Sequence, residues 1–157
     1  MKKFVLTGFA DYNFTLIGIC SHEDDFKLCW HLNNALGLDF RKVKDVEILH
    51  PQTKNQVSFP MFFFLDTENE YPEEILNAEK EAPSEEDDIF YHLISNRNPS
   101  GNLVPEQKKT DFFLRISGES ELIDSTSILQ TIREMPVVLT AFILNPAELK
   151  SRANLIF

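Results

Sequence analysis

The carboxylates best placed to do chemistry are Glu106 and Asp111, in the stretch LVPEQKKTDFFLRISG at 103–118. Gln107, Lys108, Lys109 and Thr110 lie between them, Pro105 precedes them, and Arg115 follows. A carboxylate pair, or a Glu beside a Lys, can line a cleft and work as acid and base. The competing reading is structural. Glu106 would accept backbone N–H bonds in its own loop, and Asp111 would cap the turn before the next strand, as carboxylates at loop ends commonly do. Residue chemistry leaves both readings open.

Other constellations are weaker. His22, Cys29 and His31 contain a nucleophile and two bases. However, Cys29 and His31 are two apart on a predicted helix and point away from each other, and nothing supplies an oxyanion hole. His22, His31, His50 and His92 show no metal-ligand spacing, and the acidic run EEDD at 85–88 lacks a calcium-loop pattern. Gly8, Gly18, Gly37, Gly101 and Gly118 are scattered and form no phosphate-cradling loop. The sequence therefore predicts no catalytic set, no metal and no cofactor.

Bulk properties narrow the class. A chain of 157 residues is read as one domain, 1–157, able to bury a core. The 14 phenylalanines stand out, because Phe carries no polar handle and fills dry interiors or interfaces. Cys20 and Cys29 are too few for a disulfide framework and predict reduced thiols in a cytoplasmic protein. The start, MKKFVLTG, has too short an apolar run for a signal peptide, and no run is long enough to span a membrane. Segment 66–88 carries 11 of the 25 acids and one of the 15 bases, so the remainder is balanced at 14 of each. With no basic excess, nucleic acid is not an expected partner. The acidic tract reads as a mobile loop, a short exposed helix or an insertion within the domain.

These residues need elements to position them. Strands are predicted at 3–9, 45–50, 56–65, 89–95 and 111–117, with 10–22 open between strand and helix. A helix beginning after a Ser21 cap has Phe26, Cys29, Trp30 and Asn33 on one apolar face, widened by Leu28, Leu32, Ala35 and Leu36, and stops at Gly37. Strand 111–117, a helix over about 124–135 and strand 137–144 form a parallel β-α-β unit, and Asn145-Pro146 opens a last helix. Strands 89–95 and 111–117 are expected to be neighbours. One sheet face is apolar throughout. The other mixes large apolar residues with His92, Arg115 and Thr140, so the N-terminal helices or a second subunit should cover it. In 56–65, Phe59, Met61, Phe63 and Leu65 oppose Phe62 and Phe64, and Pro60 places the strand at an edge or a bulge. A greasy edge predicts a homodimer through Phe59, Phe62 and Phe64, unless 66–88 folds back over it.

The opening stretch also carries a resemblance. VPEQKKTDF, 104–112, resembles the signature of the uncharacterised bacterial IPExxxVDY family. Pro105, Glu106 and Asp111 match it, while Val104, Thr110 and Phe112 stand where the signature has Ile, Val and Tyr. DYNFTLIGICS, DFKLCWHLNNALG and LKSRANLIF are also similar to that family, so the resemblance spans most of the chain outside the acidic tract. It implies a fixed role for Pro105, Glu106 and Asp111 without saying whether that role is structural or functional, and it brings no known activity. Phe112 lacks the hydroxyl of the signature's Tyr.

The expected fold is α+β: a mostly antiparallel sheet with packed helices and a C-terminal β-α-β unit, comparable to ferredoxin-like or ACT-type domains. The expected function is a non-catalytic protein-interaction or regulatory module. The alternatives are a small-ligand-binding, ACT-like domain with a site near Glu106, Asp111, Arg115 and His92, and an enzyme using Glu106 as acid or base.

Overall fold

The computed structural model describes residues 14–67, 88–118 and 122–157. The expected strand at 3–9 and most of the acidic tract lie outside them. The chain runs β1 (Thr15–Cys20), α1 (Asp25–Leu36), β2 (Arg41–Leu49), β3 (Gln56–Asp66), β4 (Ile89–Ser95), β5 (Arg97–Asn98) and β6 (Gly101–Asn102). A single 3-10 turn, Pro105–Gln107, leads to β7 (Phe112–Ser117), α2 (Ser125–Arg133) and β8 (Thr140–Leu144), and two further 3-10 turns follow. Six strands form one sheet in the order β2-β3-β4-β7-β1-β8. Every neighbouring pair is antiparallel.

The fold is α+β. Four strands, β4-β7-β1-β8, with α1 and α2 on one face, make two interleaved β-α-β crossovers, the split pattern of ferredoxin-like domains. Hairpin β2–β3 extends the sheet beyond β4. β7 and β8 run parallel, as the sequence suggested, with β1 inserted between them and antiparallel to both. Within 10–22 the described residues form a strand at Thr15–Cys20, because both neighbours of β1 supply ladder partners that periodicity cannot see; 10–13 lie outside the described residues. The acidic tract joins β3 to β4, whose ends pair at Asp66 and Ile89, and Thr67 donates to Asp88 where the two ends meet.

Several boundaries differ from expectation. α1 is capped by Asp24, which accepts from Lys27 N, while Ser21 accepts from Glu23 N one turn earlier. Gly37 ends the helix in the left-handed region at φ 68°, a conformation that favours glycine. Two apolar stripes run along α1. The sheet takes Leu28, Cys29 and Leu32, while Phe26 and Trp30 stay each 63% exposed, Phe26 setting its ring edge-to-face with Phe62 at 5.2 Å between centres. The expected last helix shrinks to a 3-10 turn at Pro146–Glu148 capped by Asn145 and another at Arg152–Leu155.

Strand β3 is not an edge. β2 and β4 flank it, and Phe59 and Phe62 are 0% and 2% exposed. Phe64 is half-buried against the helix-side core. The expected homodimer interface at Phe59, Phe62 and Phe64 is thus interior to one chain. The bulge half of the Pro60 expectation holds. The β2–β3 register slips between Val43↔Met61 and Val46↔Phe59, so Lys44 and Asp45 oppose Pro60, which has no N–H to give.

Two layers of core result. Under the helices lie Ile17, Ile19, Phe62, Leu93, Phe112, Leu114 and Ile116. On the opposite face lie Leu16, Phe59, Met61, Ile94 and Phe113, covered by Leu103, Val104, Leu149 and Leu155. The second face is therefore closed by the 103–111 loop and the C-terminal turns. Helices and a second subunit were the sequence-based candidates for that role.

Candidate functional site

The 103–111 loop is built around a residue that sequence patterning does not flag. Asn96 follows β4 and is 0% exposed. Its Nδ2 donates to the Gln107 and Thr110 carbonyls at 2.9 and 2.8 Å, and its Oδ1 accepts from Val104 N at 2.8 Å. Its backbone N–H donates to the Asp111 carbonyl at 2.9 Å. One amide side chain thus satisfies three backbone groups of the loop, two of them through buried bonds, as buried polar groups require. Pro105 suits the first position of the short 3-10 turn, where no N–H is needed. Thr110 is buried and donates to Gln107 Oε1 at 2.9 Å. Its methyl reaches the Gly18 backbone, over which the Phe142 ring also lies. A Cβ on Gly18 would sit 2.8 Å from that ring and 3.2 Å from the Thr110 methyl.

Glu106 points at the chain terminus. Its carboxylate accepts from Ser151 N at 2.7 Å and from Ser151 Oγ at 2.9 Å. Asn154 Nδ2 donates to the Leu103 carbonyl at 2.9 Å, a second latch between the same two segments. Partial burial alone would push the Glu106 carboxyl up. The hydrogen bonds from Ser151 and from nearby backbone N–H groups outweigh it and hold the group below its ordinary value. A general base near neutral pH needs the opposite shift. Glu106 binds neither its own loop alone nor Asp111. It fastens the C-terminal turn to the 103–111 loop.

Asp111 serves the other end. Its Oδ2 accepts from Ser21 N at 2.9 Å, just after β1, and its Oδ1 pairs with Arg97 Nε at 3.8 Å. Arg97 also stacks over Phe112, 4.7 Å from the ring centre, and donates to the Glu23 carbonyl. Burial, then the Asp111 charge, pushes the nearby Cys20 thiol up. Burial, then the Asp25 charge, drives Cys29 well above the ordinary thiol value. Neither cysteine is an activated nucleophile.

His92 and Arg115 face each other across β4 and β7 on the second sheet face, 0% and 7% exposed. His92 packs against Phe63 and Phe157, and Arg115 lies over the Phe14 and Phe157 rings at 4.7 and 4.9 Å. Glu106, Asp111, Arg115 and His92 therefore occupy three separate settings: the terminal latch, the β1 exit and the covered sheet face. Among the described residues, no group of His, Cys, Asp and Glu is arranged to hold a metal ion. No helix among them is long and apolar enough to cross a membrane.

Two clefts open beside this assembly. One, of about 600 Å³, lies between β2 and the C-terminal turn and includes Lys44, Asp45 and Glu47. The other, of about 560 Å³, lies between the β2–β3 turn, β6, Pro105, Lys108 and Ser151. Neither includes Glu106, Asp111, His92 or Arg115. Sequence reasoning missed Asn96 and Ser151 as organising residues. Only Asn96 left a trace, as the first residue of the turn-rich run NRNPSGN.

Set against protein-family models, curated proteins and solved structures, the chain matches none.

Proposed function

We propose that the chain is a non-catalytic protein-interaction module that associates through the exposed Phe26–Trp30 flank of α1, with a second copy of itself as the partner. The observation that carries this reading is the pair Phe26 and Trp30, each 63% exposed, one turn apart on the same stripe. Large aromatics are costly to leave in water and are favoured anchors of protein interfaces. Asn34 continues the stripe and Lys27 flanks it, while Asp25 lies beside Phe26 at its N-terminal end. A two-fold axis between Phe26 and Trp30 would set each against the other's counterpart, a self-complementary arrangement. The tasks that occupy Glu106 and Asp111 favour this reading over acid-base catalysis. Kinship with the IPExxxVDY family is proposed on Pro105, Glu106 and Asp111, which here fasten the fold's cover. Light scattering on wild type and on Phe26→Glu with Trp30→Glu tests the reading. A wild-type dimer and a folded monomeric variant are expected. A monomeric wild type at high concentration overturns self-association.

A further inference from the structure

The cleft of about 560 Å³ beside Pro105 has the size of a small-molecule site. Its polar equipment is unusual for this chain. The net charge is −10, yet no Asp or Glu is among the residues lining it, and Lys108 is. His50 is oriented by its own turn: Nδ1 accepts from Gln52 N at 3.2 Å and Thr53 N at 3.3 Å. A nitrogen that accepts carries no hydrogen, so the hydrogen sits on Nε2 as a fixed donor. Gly101 keeps that donor uncovered. Its φ is +152°, and a Cβ there would lie 3.7 Å from His50 Cδ2 and 3.9 Å from Nε2. Leu49, Pro51 and Pro105 give the cleft an exposed apolar wall, and Asn102 adds an amide at the rim. Glu106 stands beside the cleft, with both carboxylate oxygens engaged by Ser151.

We propose that this cleft binds a small organic carboxylate with an apolar body. The carboxylate sits between His50 Nε2 and the Lys108 ammonium, and the body lies on Leu49, Pro51 and Pro105. A fixed N–H and a mobile cation make charge-assisted bonds to an anion, while the wall rejects fully hydrated ions such as sulfate. The site is independent of the α1 surface and rests on different residues.

Titrating the ¹⁵N-labelled full chain with phenylacetate, 4-methylpentanoate and the neutral control phenylacetamide tests this. The two carboxylates should give saturable shifts at the His50, Gly101, Asn102 and Lys108 amides. Phenylacetamide should bind at least about tenfold more weakly. Lys108 is exposed, so Lys108→Ala keeps the fold and should weaken the carboxylates by about tenfold. Gly101→Val should abolish the shifts by filling the cleft. Absent saturation at millimolar carboxylate, equal binding of the amide, an unchanged Lys108→Ala affinity, or shifts confined to α1 would each overturn the proposal.

Discussion

Replacing Asn96 with Ala removes the side chain that holds the 103–111 loop. Two of the bonds lost are buried, those to Val104 N and to the Thr110 carbonyl. An orphaned buried polar group costs about 1–3 kcal/mol. The third bond, to the Gln107 carbonyl, is part-buried and water can replace it, at a cost of about 0.5–1.5 kcal/mol. Allowing for relaxation of the loop, the expected loss is about 3–5 kcal/mol. With a urea slope of about 2 kcal/mol per molar, the unfolding midpoint falls by about 2 M. Urea titration followed by far-ultraviolet circular dichroism reads the change. Asn96→Asp is the companion variant. It keeps the acceptor for Val104 N but aims a second oxygen at two carbonyls, so it should be no milder than Asn96→Ala. A loss below about 1 kcal/mol for Asn96→Ala would refute the reasoning, because the loop would then be holding itself.

Further outcomes follow from the same geometry. Gly18→Ala should cost about 1–3 kcal/mol by overpacking, since the new methyl must displace the Phe142 ring or the Thr110 methyl; a denaturant midpoint equal to wild type would contradict that contact. Glu106→Gln should cost less than about 1 kcal/mol at pH 7, because the latch is exposed to solvent. The sign with pH is fixed by the lowered folded-state value: the contribution of Glu106 is present above the ordinary value of 4.5 and is lost as pH falls through the folded value. Urea midpoints of wild type and Glu106→Gln should therefore differ by a constant amount above that range and converge on acidification. A gap that widens toward acid would reverse the assignment.

The alternation of β4 and β7 was readable, because period-two patterning separates Phe112, Leu114 and Ile116 from Phe113 and Arg115 and needs no knowledge of neighbours. The pairing of those strands was legible through the turn chemistry of NPSG. The position of β3 was not. Pro60 speaks against a central strand, and only the pairing register reveals that β2 bulges opposite it. The apolar face of α1 is drawn too wide from sequence: it contains the buried Leu28, Cys29 and Leu32, but sequence alone cannot say that Phe26 and Trp30 stay exposed. The roles of Glu106 and Asp111 were beyond reach for a similar reason. Their partners, Ser151 and Ser21, lie 45 and 90 residues away, and serines in loops carry no pattern.

Trp30 is the chain's single tryptophan and sits at the centre of the proposed α1 surface. Its emission and its quenching by iodide, measured across a protein dilution series, test the interaction reading most directly. The account predicts long-wavelength, readily quenched emission at high dilution, and a blue shift with protection from iodide as concentration rises. Emission that stays exposed and quenchable at every concentration would contradict self-association through α1. Emission that is blue and protected even at high dilution would contradict the exposure of Trp30 itself.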